Sequence, residues 1–397
     1  MSGYDAIVVG ARVAGSPTAM LLARKGYRVL ALDRATFPSD TMSTHLIHPP
    51  GMDALHRWGL SDRVIASGCP PIKAYRLDLG PFDLVGRPRG LPDAPHSYAP
   101  RRKVLDNILV EAAAEAGAEV REGFTVESLI LEDGAVRGIR GRSQSGTSVQ
   151  ERARVVIGAD GLNSIVARTV GAERYVEVSA VQAMYYAYWS DMPTDSEFQI
   201  YVRDNRALVT IPTNEDLSIV LVAWPIEEFN TNKRDLEASY TRSFEVEPSF
   251  AERTARATRV SRLVGTRMDN FYRRSYGPGW ALVGDAGYHK DAGTAQGISD
   301  AFRDAESLAD ALDGVFTGRK SFDEALGSYQ QTRDQLTMPM FELTCQFASF
   351  DPPSAEEQEL FGALSGDQNA TDAFMSVFAG TLPVQDFFDP AKAAEVH

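Results

Sequence analysis

Gly284-Asp285-Ala286-Gly287-Tyr288-His289-Lys290-Asp291-Ala292-Gly293-Thr294-Ala295-Gln296-Gly297 follows the apolar run Trp280 to Val283. It precedes a segment with Ile298, Phe302, Ala305, Leu308, Ala309 and Leu312 on one helical face. The run reads as a short buried strand and the segment as an amphipathic helix. An acid, Asp285, stands at the strand end, and a small-residue loop leads into the helix start. Backbone N–H groups there, with the positive end of the helix dipole, suit an anionic or electron-rich ligand edge. An ordinary strand-loop-helix connection has the same outline, so the rest of the chain decides.

At the other end of the chain, Tyr4 to Val9 reads as an apolar strand. Gly10-Ala11-Arg12-Val13-Ala14-Gly15 follows, then a helix through about Gly26, then a strand from Arg28 to Leu32 that ends at Asp33 and Arg34. Strand, glycine turn, helix, strand and acid in this order form a dinucleotide-binding unit, with the acid placed to take a ribose hydroxyl pair. Gly10, Arg12, Ala14, Gly15, Asp33 and Arg34 are its candidate contacts. Arg12 replaces the glycine that normally lets the backbone approach a pyrophosphate. Either its side chain turns away while its N–H serves, or its guanidinium itself meets a phosphate.

Between these ends lie further polar strand ends and loops. The loop Asp40 to Gly51 carries His45 and His48, and reads equally as a surface loop or a functional one. Residues 70–98 are expected to form small antiparallel strands rather than a parallel core. Arg101-Arg102-Lys103 opens a helix where basic residues oppose the dipole, so an anionic ligand nearby would account for them. A hairpin is expected at Asp133-Gly134. The buried run Arg154 to Ile157 ends in Gly158-Ala159-Asp160-Gly161, a second acid flanked by glycines. From Ala180 to about Ile226, aromatic and β-branched runs predict four antiparallel strands. Residues 232–257 and the chain beyond Arg319 read as helical.

The bulk properties set limits. The chain has 397 residues, 44% hydrophobic and 24% charged, with a formal charge of -14. That balance argues against non-specific nucleic-acid binding and against an anionic membrane surface. Cys69 and Cys345 are too few and too far apart for a disulfide framework or a metal cluster. No apolar run is long enough to span a bilayer, and no basic-then-apolar leader opens the chain. A cytoplasmic protein, monomer or homodimer, is the expectation.

Taken together, the Gly10–Asp33 fingerprint, Gly158-Ala159-Asp160-Gly161 with Ser164 and Arg168, and Gly284-Asp285-Ala286 with His289 and Gly293 to Gly297 resemble one family. It is the flavin-dependent monooxygenases of the p-hydroxybenzoate hydroxylase class, whose neighbours include geranylgeranyl reductase-like and flavin-dependent halogenase proteins. The resemblance covers about residues 4–340. It implies an α/β fold: a Rossmann-like FAD-binding domain over 1–70, 101–178 and 271–320, an interleaved antiparallel β-sheet substrate domain over 71–100 and 179–270, and a C-terminal helical segment over 321–397. FAD would contact Arg102, Asp160 and Gly161 besides the first turn. Asp285 would hold its ribityl chain, and Gly293, Ala295, Gln296 and Gly297 would lie by its ring. Ala292 departs from the family, which usually carries a proline there.

The implied reaction runs from NADPH or NADH to FAD, then to O2. The resulting flavin hydroperoxide passes one oxygen to an electron-rich small molecule. His45, His48 and His289 are the candidate proton-transfer groups. Tyr185, Tyr188, Tyr201 and Trp224 are the candidate pocket walls. A halogenase is disfavoured because Ala223-Trp224-Pro225-Ile226 only faintly echoes the halogenase tryptophan signature. A reductase of isoprenoid double bonds, or a flavoprotein that binds its ligand without turnover, are the other readings.

Overall fold

The computed structural model describes residues 3–388. Tyr4–Val9 is the centre of the first sheet. Val29–Leu32 and then Glu119–Arg121 lie parallel to it on one side, Ser148–Gly158 and then Trp280–Leu282 on the other. Alternate residues of the central strand feed two cores. Ala6 and Val8 pack with Met20, Leu105, Phe302 and Leu308 under the helices. Ile7 and Val9 pack with Leu129, Val136 and Ile139 on the other face. A parallel sheet covered on both faces has no polar side, which is why its strands read as unbroken apolar runs. The hairpin Thr125–Glu132 with Ala135–Arg142 turns at Asp133 and Gly134, φ 50° and 75°. Two successive positive φ angles match the right-handed strand twist, and Asp-Gly adopts them at low cost.

A second sheet stands across the carboxyl ends of the first. Gln182–Ser190, Leu217–Pro225, Arg206–Pro212 and Glu197–Arg203 pair antiparallel in that spatial order. Ala74–Asp78 and Asp83–Gly86 extend it. The antiparallel pairing expected within 70–98 is present, Ala74–Asp78 with Asp83–Gly86 and Pro71–Ile72 with Ser97–Tyr98, and Ala74–Asp78 in addition pairs in parallel with Glu197–Arg203. The chain between them runs through the first sheet and returns, so the long connection that a parallel pair needs is present. Helical turns between Phe229 and Arg256 cover the outer face, where Tyr240, Phe244 and Phe250 meet Trp189, Val220 and Trp224.

The C-terminal part is helical, with Phe322–Ala348, Ala355–Ser365 and Gln368–Phe378 as its main helices. Phe361, Phe374 and Phe378 pack against Leu77, Leu84 and Ile211 at the inner end of the second sheet. Among the described residues no helix is long and apolar enough to cross a membrane.

Candidate functional site

A cavity of about 540 Å³ opens where the first sheet's carboxyl ends meet the second sheet. Three strand-end turns build its polar wall. At Gly10, φ is 98°, and a Cβ would stand 2.4 Å from the Ala159 carbonyl oxygen. Gly15 does not line the cavity. Its α-carbon lies under the Gly10 carbonyl, where a Cβ would be 1.8 Å from that oxygen. Asp33 at the second turn is 8% exposed. Its Oδ2 accepts the Ala11 N–H and its Oδ1 the Ala35 N–H, both at 2.8 Å. An ionised carboxylate only accepts, so its remaining lone pairs suit hydroxyl donors. Arg34 is exposed beside it at the cavity wall.

Arg12 resolves by turning toward the helix Arg102–Glu115. It reaches Asp106 Oδ2 at 2.5 Å, the Ser39 carbonyl at 3.3 Å and Ser39 Oγ at 3.0 Å. Arg102 donates to the other oxygen of the same acid, Asp106 Oδ1, at 2.9 Å. Asp106 is fully buried, while both arginines border the cavity. Two cations on one carboxylate leave a net positive charge at the wall. In the basic turn that opposes the helix dipole, Arg102 is held by an acid one helical turn along, while Arg101 pairs with Asp40 and Glu215 and Lys103 with Glu215.

Asp160 accepts the Ile165 N–H through Oδ2 at 2.6 Å, while its Oδ1 is buried without a partner. Burial pushes its carboxyl above the usual carboxylate range. Gly161 follows in a positive-φ turn, and a Cβ there would meet nothing within 4 Å. Asp285 is exposed on the same cavity. The helices Gly15–Arg24 and Gly297–Phe316 both begin without a side-chain cap, at Ala14 and Gln296 respectively. Ala14, Ala295 and Gly297 line the cavity, and a Cβ on Gly297 would likewise meet nothing within 4 Å. These groups fit FAD. Asp33 and Asp285 would accept from sugar and ribityl hydroxyls, and the uncapped helix starts with Arg12 and Arg102 would hold a diphosphate.

Besides Gly15, two further candidate FAD contacts do not line this cavity. The Gln296 amide donates to the Phe378 carbonyl at 2.6 Å, tying the helix start to the C-terminal helices. Gly293 borders a second, smaller chamber of about 70 Å³ behind Ala292 and Ala295. That chamber is walled by Leu77, Phe198, Ile200, Ile211 and other apolar side chains of the sheet, and by Phe347, Phe350 and Phe378. Its polar side chains are Thr44 and Gln182, and no charged side chain lines it.

The three histidines separate. His48 is buried with both ring nitrogens engaged. Nε2 is 3.0 Å from the Thr294 carbonyl, which can only accept, so Nδ1 accepts from the Tyr75 hydroxyl at 2.6 Å. His45 is buried, φ 65°, with Nε2 2.5 Å from the Tyr188 hydroxyl and Nδ1 without a partner. Burial pushes the His45 ring down to about 3 and the His48 ring down to about 4. Neither lines the cavity; His289 does. Its Nδ1 is 2.9 Å from the Asp269 carbonyl, so that nitrogen carries the hydrogen.

A pH effect on stability follows from the first two rings. Unfolded, each titrates near 6.5; folded, lower. Between those values the unfolded chain binds more protons, so stability is complete above about pH 6.5 and falls as pH drops toward 4 and 3. Each ring contributes about 1.4 kcal/mol per pH unit within its window. Chemical denaturation of His48→Gln should show a shallower loss between about pH 6 and pH 4 than the parent.

The aromatic candidates also divide. Tyr185, Tyr201 and Trp224 belong to the outer face of the second sheet. Trp224 stacks on Tyr185 at 5.7 Å, and Tyr201 meets Phe250 at 5.7 Å. Tyr188 is on the inner face but is engaged by His45. Met184, Tyr186 and Leu221 are the inner-face residues that wall the cavity. Sequence reasoning missed Tyr186, Asp106, Lys290 and Asp291. Lys290, buried at the cavity wall, is paired with Asp300, which Arg303 also engages at 2.8 Å. The four-residue spacing of Arg102 and Asp106 was the one signal for that acid.

The FAD binding domain family matches residues 3–344. The digeranylgeranylglycerophospholipid reductase of Methanosarcina acetivorans is 26% identical over 345 residues, covering 83% of this chain and 80% of that protein. The structure of the flavin-dependent brominase Bmp2 superposes with a TM-score of 0.84 at 20% identity, over 100% of this chain and 97% of that one. A probable FAD-dependent monooxygenase of Pseudomonas aeruginosa, pqsL, gives 0.76 at 22% identity, over 92% of this chain and 100% of that one. At those identities the two structures speak for the fold alone. The match across residues 3–344, with the cavity geometry above, makes the chain a member of the FAD binding domain family of flavoenzymes.

Proposed function

We propose that this flavoenzyme is a monooxygenase that uses NADPH or NADH and O2 to hydroxylate or epoxidise an electron-rich aromatic or polyketide-like small molecule. The observation that supports it is the junction of a large polar cavity with an uncharged apolar chamber, both bordered by Ala292 and Ala295. Bound FAD supplies the redox and oxygen chemistry. The chain supplies position and environment. Phe347, Phe350 and Phe378 exclude water from the chamber. The N–H groups at the Gly297 helix start favour negative charge placed against them. His289, with Nδ1 committed to Asp269, offers Nε2 as a proton acceptor for a substrate hydroxyl. The same proposal divides the chain into an FAD-binding unit (1–70, 101–178, 271–320), a substrate unit (71–100, 179–270) and a helical segment (321–397). Residues 1–2 and 389–397 of that division lie outside the described residues.

Purified protein should be yellow, and phenolic, polyketide or indole compounds should stimulate NADPH or NADH oxidation. The product should be heavier by one oxygen drawn from O2. If no compound stimulates that oxidation and a separate flavin reductase is required, the reading is wrong. The apolar lining also suits an isoprenoid end, which favours a double-bond reductase as the second reading. Oxygen-independent formation of a saturated product would establish that one instead.

A further inference from the structure

Asp291 lies between the two spaces. It borders the main cavity, and the next residues, Ala292 and Gly293, border the apolar chamber. It is 2% exposed. Its Oδ1 accepts two hydrogen bonds, from the Gly293 N–H at 2.8 Å and from the Gln182 amide at 2.5 Å. Its Oδ2 has no hydrogen-bond partner among the described residues, and the side chain lines the cavity. Among the described residues no lysine or arginine pairs with it, and His289 is the neighbour whose positive charge would hold its carboxyl lower. The adjacent Lys290 turns to Asp300 instead.

We infer that Asp291 is held as the neutral acid with its proton on Oδ2, and that it donates a hydrogen bond to an acceptor atom of the bound flavin ring. The position of the proton follows from the partners. Oδ1 already faces two N–H donors, so a proton there would point at hydrogens. Neutrality follows from the surroundings. Removal from water is the leading cause and drives this carboxyl above its ordinary range, against the Gly293 and Gln182 hydrogen bonds and any positive charge on His289, which act the other way. The charged or titratable groups that bear on it are few. On its own loop they are His289, bonded to the Asp269 carbonyl, and Lys290, bonded to Asp300. From the Phe322–Ala348 helix Cys345 faces it, with its thiol pushed up to about 11 by burial and hence uncharged. Glu342 lies on that same helix near Cys345. The neighbouring strands present amides: Gln182, and Asn270, whose Oδ1 accepts the Asp291 N–H at 2.5 Å.

The inference rests on FAD binding and not on the monooxygenase reading, so substrate-free, oxidised holoprotein is the sample. Its visible flavin spectrum is recorded between about pH 5 and pH 8.5. The parent should show one titration step above the ordinary carboxylate range. In Asp291→Asn the step should be lost, and the spectrum should match the low-pH parent at every pH. The amide's carbonyl must face Gly293 and Gln182, which leaves its N–H donor where the acid's proton was. His289→Asn and Cys345→Ser should keep the step. A parent spectrum flat across this range, or a step that persists in Asp291→Asn, would overturn the assignment. A colourless parent would overturn FAD binding itself and is seen before any titration.

Discussion

Gly15→Ala is expected to purify colourless and to unfold at a markedly lower temperature than the parent. The new methyl group would lie 1.8 Å from the Gly10 carbonyl oxygen and 2.8 Å from its carbon. Both are backbone atoms of the turn that begins the polar wall, so no side chain can rotate away to relieve the overlap. Relief means separating the helix Gly15–Arg24 from that turn. This displaces the uncapped helix start and costs about 3 kcal/mol or more in stability. Gly297→Ala is the matched control. A Cβ there meets no protein atom within 4 Å, and alanine is the better helix former. Its apo melting temperature should stay level or rise slightly, while FAD retention falls, as the proposed placement of the cofactor in that open space requires. Flavin absorbance per protein and thermal melting of both forms decide the pair. Normal flavin content in Gly15→Ala would refute the account of the turn.

Asp106→Ala should produce the second large effect, and one that bound FAD partly repairs. Asp106 is fully buried and receives both Arg12 and Arg102. Removing it leaves two guanidinium groups facing each other at the cavity wall, one of them buried. Breaking a buried ion pair from one side costs about 3–5 kcal/mol. The pyrophosphate of FAD is an anion suited to the same two arginines, so the cofactor should return part of the loss. Melting of apo and FAD-saturated forms tests this. The temperature gained on adding FAD should be larger in Asp106→Ala than in the parent. An equal gain would mean that the two arginines do not face the cofactor's charge.

Much of this arrangement was legible because it is local. The turns after Gly158 and Val283 announce themselves by glycine and acid within a few residues of a strand end, and the turn after Val9 by its glycines, with its acid Asp33 at the end of the next strand. Arg12 could not be decided from its neighbours, because its partners Asp106 and Ser39 come from elsewhere in the chain. The tyrosines failed for a different reason. Gln182–Ser190 is buried on both faces along nearly its whole length, so alternation offers no polar side from which to count. Tyr185 and Tyr186 are indistinguishable by pattern, yet the first packs under the outer helices and the second walls the cavity. Asp291 was hidden by context, since an acid in a glycine loop normally signals a solvated turn. Only the packing of Gln182 and the long C-terminal helix around it makes it a buried group.

The parallel pairing of Ala74–Asp78 with Glu197–Arg203 has a consequence for how the protein comes into being. The second sheet draws on chain from both before and after the Ser148–Gly158 strand, and the first sheet is not complete until Trp280–Leu282 joins it. A chain emerging from the ribosome therefore holds early strands with one edge unpaired, Tyr4–Val9 until Ser148–Gly158 and Ala74–Asp78 until Glu197–Arg203. Contacts between such distant segments carry a high closure entropy and form late. Unpaired strand edges in that interval invite association with other chains. Synthesis rate and chaperone access are expected to govern the yield of this protein more than its final stability does.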